Sequence, residues 1–133
     1  MLLKYNVKLN KRMKINVEEG LDKPFLPDGQ HVVEITHIDE GTSEYKGVPF
    51  FACRMENEEG FVSQRFYLSP AGMPIIMDLF RAVGVDAEAG KKLDTNQLIG
   101  KELSVEVGDY TYNDPENGNE RTLKQASHFK AAE

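Results

Sequence analysis

The chain changes its hydrophobic period twice, and this change constrains the fold more than any other feature of the sequence. Strict alternation of apolar and polar residues is typical of strands that bury one face, whereas spacing of three and four residues is typical of helices. Alternation rich in β-branched and aromatic residues predicts five strands, at residues 31–38, 48–56, 61–68, 101–112 and 120–129. Helical spacing occurs between the third and the fourth of these strands.

The helical segment has a single apolar stripe, as expected of an amphipathic helix packed on a core. The stripe consists of Ile75, Ile76, Leu79, Phe80 and Val83. We expect the helix to begin near Met73 or Pro74, because proline is favoured in the first helical turn. Gly84 then supplies the residue that commonly ends a helix.

Two polar segments have the composition of hairpin turns. Residues 57–60 end in Gly60, which we expect to adopt a positive φ. Residues 113–119 place Asn117 and Gly118 together, the strongest short-range signal for a hairpin. The last two strands therefore form a hairpin, and the first three form a meander.

Three strands, a helix and a final hairpin follow one another in the order of the OB-fold, a partly open five-stranded Greek-key barrel. We therefore predict a mainly β, OB-fold-like five-stranded antiparallel barrel with one α-helix between strands 3 and 4. An open antiparallel sheet capped by the helix is the alternative. The length of 133 residues fits a single domain, which we place at residues 31–130.

Residues 1–30 form an N-terminal basic leader whose short alternating stretches are compatible with added edge strands. Its first 17 residues contain five cations and no acid, which leaves 11 basic and 22 acidic side chains in the rest of the chain. The cations are Lys4, Lys8, Lys11, Arg12 and Lys14. Such a basic leader suits contact with an anionic partner, although a solvated terminal segment has the same composition.

Several classes of protein are disfavoured by what the sequence contains. Its apolar runs are shorter than a membrane span or a signal peptide requires, so we expect a cytoplasmic protein with no membrane partner. A single cysteine, Cys53, cannot form an internal disulfide or a multi-cysteine zinc site. His31 and His37 are about 20 Å apart on an extended strand and cannot share a metal. With no phosphate-binding glycine loop and no nucleophile elbow, we expect no enzymatic activity, no metal and no cofactor.

Alternation divides strands two and three into two faces. The face expected in the core contains Phe51, Cys53, Met55, Val62, Phe66 and Leu68. The outward face alternates aromatic rings with cations, at Phe50, Arg54, Phe61, Arg65 and Tyr67. OB-folds bind oligonucleotides on this face, where bases stack on rings and cations hold phosphates. The same rings could instead be covered by the leader or by a second copy, and a one-residue register slip would exchange the faces.

Further candidates lie at the loops that flank this face. Lys46 precedes strand two, beside Tyr45, and Tyr112, Arg121 and Lys124 flank the loop between strands four and five, as does Tyr110. Loops at these positions often hold nucleic acid in OB-folds. Tyrosines are also common on half-exposed strands, which is the alternative explanation.

Six short features occur in a fixed order along residues 27–130. They are Pro27-Asp28-Gly29 before Val33-Glu34-Ile35, Lys46-Gly47-Val48-Pro49-Phe50-Phe51, the helix ending at Gly84, Leu98-Ile99-Gly100-Lys101 and Ser127-His128-Phe129. This order resembles a family of small phage and prophage OB-fold proteins, often described only as a conserved domain of unknown function and taken to bind single-stranded DNA. The chain differs from many bacterial single-strand binders in lacking an acidic tail tipped with Phe, so we do not transfer partner recruitment through such a tail.

The resemblance implies single-stranded DNA binding with little sequence preference, in phage-type DNA replication or recombination. Replication or recombination proteins, and a second copy of the chain, are further partners that it leaves open. The alternative from another class is a protein-interaction or assembly module that uses the same aromatic face.

Overall fold

The computed structural model describes residues 23–44, 46–88, 92–114 and 116–132. The predicted leader therefore lies mostly outside the described residues, as does Tyr45. The strands are β1 (Gly29–Thr42), β2 (Pro49–Glu56), β3 (Phe61–Tyr67), β4 (Glu102–Asn113) and β5 (Glu120–Ala131). One α-helix, α1 (Met73–Ala82), and one short 3-10 helix (Thr95–Gln97) lie between β3 and β4.

The five strands form one antiparallel sheet in the order β3-β2-β1-β4-β5. This confirms the predicted mainly β fold with one α-helix between the third and fourth strands. The sheet is not closed into a barrel, because no ladder joins β3 to β5 within the described part of the chain. The two edge strands meet through side chains instead. Gln64 Oε1 accepts a hydrogen bond of 2.8 Å from the Ala126 N–H, and the Phe66 and Phe129 ring centroids are 5.5 Å apart.

The pairing of β2 with β3 confirms the predicted faces at every position but one. Phe51 pairs with Phe66 and Met55 with Val62, and all four side chains are buried. Leu68 was expected in the core, but it is 50% exposed. The expectation is wrong because β3 ends at Tyr67 and the chain then turns toward α1, which breaks the alternation.

Helix α1 covers one end of the sheet with the stripe that the spacing predicts, except at Ile75. Its buried residues are Ile76, Leu79, Phe80 and Ala82. Ile75 lies about 100° around the helix from Ile76 and is 50% exposed. Gly84 ends the helix with a φ of +90°, as predicted, and its N–H donates to the Arg81 carbonyl.

Residues 24–26, which we call the strap, run alongside the start of β3 and form an isolated parallel bridge there, between Phe25 and Phe61. The Phe61 N–H donates to the Pro24 carbonyl and the Leu26 N–H to the Phe61 carbonyl. Gly60 does not adopt the predicted positive φ. A Cβ at Gly60 would lie 2.4 Å from the Pro24 carbonyl oxygen, so glycine is required there by the close approach of the strap.

Candidate nucleic-acid interface

A cleft of about 950 Å³ separates the outer face of β3 from the hairpin formed by β4 and β5. The wall opposite β3 forms because β4 extends beyond the start of β1. Gly29, the first residue of β1, pairs with Val107, and beyond that point β4 continues with β5 as a two-stranded arm. The arm projects past the sheet and faces β3. The aromatic and large apolar side chains of the cleft come from β3, β4, β5 and the strap, and are Phe25, Tyr67, Tyr110, Tyr112 and Leu123.

Two tyrosine rings on the arm stack on each other with nearly parallel planes. Tyr110 and Tyr112 lie two residues apart on β4, so they share a face, and their ring centroids are 5.9 Å apart with planes inclined by 15°. Tyr110 is 48% exposed, and Tyr67 on the opposite wall is 36% exposed. Tyrosine rings at this exposure are partly accessible to a ligand that stacks on them.

The charged side chains of the cleft are Arg65, Lys124 and Asp109. Lys124 Nζ donates to Asp28 Oδ1 at 2.6 Å and lies 3.1 Å from Asp109 Oδ1. These hydrogen bonds raise the pKa of Lys124, which is therefore fully charged but already paired with two carboxylates. Arg65 is held differently, because its guanidinium lies over the Phe50 ring at 4.4 Å from the centroid.

Phe50 supports the cleft from the neighbouring strand. Its ring centroid is 5.6 Å from that of Tyr67, and the guanidinium of Arg65 stacks on it. A Cβ at Gly41 would lie 2.8 Å from Phe50 Cζ, so the ring rests directly on the backbone of β1. Phe50 is therefore a positioning residue for Arg65 and Tyr67, and it does not line the cleft.

Phe61 is enclosed by its neighbours. The Phe25 ring of the strap lies on it with centroids 5.0 Å apart, and the Arg54 guanidinium lies 4.0 Å from its centroid. The prediction that the leader could cover part of the aromatic face therefore applies to this ring.

Arg54 is anchored by a carboxylate. Arg54 Nε donates to Glu56 Oε2 at 3.0 Å, and Glu56 also accepts hydrogen bonds from Lys23 Nζ at 2.7 Å and from the Thr36 hydroxyl. Partial burial raises the pKa of Glu56, but the hydrogen bonds from Lys23, Thr36 and Arg54 outweigh burial and lower it to about 2. Arg54 is thus part of a network that holds Lys23, the residue before the strap, against β1 and β2.

The remaining candidates divide between the cleft and its surroundings. Tyr112 lines the cleft, whereas Arg121 does not, and its Nε donates to Asp114 Oδ2 at 2.7 Å. Lys46 lies in the turn between β1 and β2 and lines a second, smaller groove that shares Tyr67 with the cleft. The structure therefore brings Arg65, Tyr67, Tyr112 and Lys124 to one cleft and leaves Lys46, Phe50, Arg54, Phe61 and Arg121 outside it.

Among the aromatic and large apolar residues of the cleft, Tyr110 was named with the loop candidates, whereas Leu123 and Phe25 were not predicted. Tyr110 shares a strand face with Tyr112, so alternation was sufficient to find it. Leu123 is the strand partner of Tyr110 and could be found only once the hairpin register was known. Phe25 lies between two prolines and shows no periodic signal that would place it on β3.

Comparison with known proteins adds no assignment, because no family model and no curated protein matches the chain. The described residues contain no group of three or more histidine, cysteine, aspartate or glutamate side chains arranged to hold a metal ion. Within the same residues, no helix is long and apolar enough to cross a membrane.

Proposed function

We propose that this chain is a non-enzymatic domain that binds single-stranded DNA with little sequence preference, in phage-type replication or recombination. One observation carries the proposal: two walls of a single cleft present Tyr67, Tyr110 and Tyr112, with Arg65 beside them. Each nucleotide in a single strand has a flat base that can stack on a ring and is flanked by backbone phosphates. The cleft provides tyrosine rings on which bases can stack and an arginine that can bind a phosphate.

Stacking explains why such a site would accept any sequence. Each base stacked on an aromatic ring contributes about 1–3 kcal/mol, and every base has a π-face to offer. Paired duplex bases cannot reach the tyrosine rings without being unstacked, which favours a single strand as the ligand.

Charge limits the strength of this binding. The chain has a net charge of −6, and Asp28 and Asp109 compete with phosphates for Lys124. We therefore expect modest affinity with marked salt dependence, because each phosphate contact contributes about −0.7 to the slope of log affinity against log salt.

A protein-interaction module is the second candidate, and the apolar members of the cleft favour it. Phe25 is 58% exposed, and Leu123 is exposed as well. Exposed apolar residues grouped in one cleft are typical of protein docking sites. Binding of a peptide there would depend weakly on salt, whereas binding of DNA would depend strongly on it.

Intrinsic fluorescence tests the proposal directly. The chain has no tryptophan and five tyrosines, three of which line the cleft. Titration with oligo-dT at low salt should quench tyrosine emission, and high salt should restore it. Tyr110→Ala should weaken the quenching and the affinity, whereas Ile99→Ala, at an exposed residue outside the cleft, should not. Absence of both quenching and a shift in oligonucleotide anisotropy at micromolar protein would refute DNA binding.

A further inference from the structure

Building on the proposed function, we infer that the DNA strand turns at Tyr67. It leaves the cleft there and enters a second groove, between the β1–β2 turn and the start of α1. The sequence predicts Lys46 as a binding residue, but it also predicts Arg54 and Phe61, which this path does not reach. The inference assigns a binding role to the second groove and to Ile75.

The two depressions share one lining residue. The second groove has a volume of about 400 Å³, and Tyr67 lines both it and the cleft. Gly72 holds the start of α1 close to this corner, because a Cβ at Gly72 would lie 2.1 Å from the Tyr67 carbonyl oxygen. A strand that stacks a base on Tyr67 therefore has a second lined surface immediately beyond the ring.

The second groove has a mainly apolar lining with a few polar groups, which could contact the sugar and base of a nucleotide and its phosphate. Its lining contains one cation, Lys46, and none of its described lining residues is acidic, although the chain has 22 acidic side chains. The hydroxyl oxygens of Ser43 and Ser69 accept backbone hydrogen bonds from Val48 and Gly72. A hydroxyl that accepts such a bond can still donate its own hydrogen to a phosphate oxygen.

Ile75 supplies the apolar surface of the groove. It is half exposed in the first turn of α1 and does not belong to the buried stripe of that helix. An apolar side chain beside a ring, a lysine and two hydroxyls can contact a base or a sugar while the polar groups bind phosphate. The fold alone gives no reason for isoleucine at this position.

The alternative path along β2 is obstructed by contacts already described. Phe61 is covered by Phe25 on the strap and by the Arg54 guanidinium. The Glu56 carboxylate pairs with the Arg54 guanidinium at 3.0 Å, so Arg54 could bind a phosphate only by sharing or breaking that ion pair. A strand moving in this direction would have to displace the strap.

Oligonucleotide length separates the two sites. Oligo-dT of about four nucleotides should occupy the cleft alone, whereas about twelve nucleotides should reach the second groove as well, within the range that one OB-type domain covers. The experiment measures anisotropy of both labelled oligonucleotides with full-length protein. It compares Lys46→Gln and Ile75→Glu with the matched controls Lys101→Gln and Ile99→Glu, which lie outside both grooves. Circular dichroism checks that each variant is folded.

We expect Lys46→Gln and Ile75→Glu to lower affinity for the longer oligonucleotide about fivefold or more, as loss of one stacked or charged contact implies. The shorter oligonucleotide should bind them as it binds the wild type, and the controls should change neither. Equal effects on both lengths, or no effect on the longer one, would overturn the path through the second groove. Failure of wild-type protein to bind either length would instead refute the proposed function itself.

Discussion

The guanidinium of Arg65 lies 4.4 Å from the centroid of the Phe50 ring, across two paired strands. The two residues are diagonal neighbours, since Phe50 pairs with Tyr67 and Ala52 with Arg65. A cation over an aromatic face gains about 0.5–1 kcal/mol at an exposed site, enough to favour one orientation of a flexible side chain. Phe50 thereby fixes Arg65 at the edge of the cleft and keeps its outer face available to a phosphate or a base.

Arg65→Gln should lower affinity for oligo-dT about tenfold and reduce the magnitude of the salt slope by about 0.7, because one phosphate contact is lost. Arg121→Gln is the matched control. Arg121 is paired with Asp114 and lies outside the cleft, so its loss should leave the slope nearly unchanged. Anisotropy titrations over a series of salt concentrations measure both quantities. An unchanged slope for Arg65→Gln would exclude Arg65 as a phosphate ligand.

Gly60→Ala should destabilise the fold by about 1–3 kcal/mol. The added methyl would lie 2.4 Å from the Pro24 carbonyl oxygen, so either the strap or the turn before β3 must move. Gly108→Ala is the matched control, because a Cβ there meets nothing within 4 Å. Urea denaturation followed by circular dichroism gives both free energies of unfolding. Equal stability of the two variants would show that the strap does not require glycine at this position.

Alternation predicts much of the fold because burial of one face acts on each strand separately. On β2, Phe51, Cys53 and Met55 are buried as their spacing indicates. Burial also raises the pKa of the Cys53 thiol to about 12, consistent with its assignment as an inert core residue. Alternation does not extend to Leu68, which is half exposed because β3 ends at Tyr67 and the chain turns there.

The cleft could be predicted only in part because it depends on contacts between distant segments. Arg65 and Tyr67 follow from the alternation of β3, but their facing partners on the arm lie more than 40 residues away. The position of the arm opposite β3 depends on two long-range features: the start of β1 at Gly29, and the hydrogen bond from the Ala126 N–H to the Gln64 side chain. The strap escaped prediction for a similar reason, since Phe25 is placed by backbone pairing with Phe61 and by no pattern of its own.

Glu56→Gln should destabilise the fold and flatten its acid dependence. The pKa of Glu56 is lowered from 4.5 to about 2 in the folded chain. A lowered pKa stabilises the fold above the unfolded value, and this stabilisation is lost as the pH decreases from about 4.5 to about 2. The variant should therefore lose stability at neutral pH, by about 1–3 kcal/mol for bonds to a charged group, and show a shallower decline in this window. Denaturation midpoints across the acid range measure the difference, and parallel curves would contradict the network's role.

Replacing His128 with glycine should preserve the stability of the fold, whereas replacing it with a β-branched residue should lower it. It adopts a φ of +54° on β5, in the left-handed region where non-glycine side chains are strained. The irregular register of β4 and β5 at this point coincides with Phe129 packing on Phe66, which helps bring the edge strands together.

We expect His128→Gly to be neutral or slightly stabilising and His128→Val to cost about 1–2 kcal/mol, since valine gains nothing from a positive φ. Urea denaturation measures both, with His37→Val as the control at an exposed position on β1 without a positive φ. If valine were tolerated equally at both positions, the bulge would not depend on backbone conformation at residue 128. The meeting of β3 and β5 would then depend mainly on the Phe66–Phe129 contact and the Gln64 hydrogen bond, and Phe129→Ala would be the variant that opens the cleft.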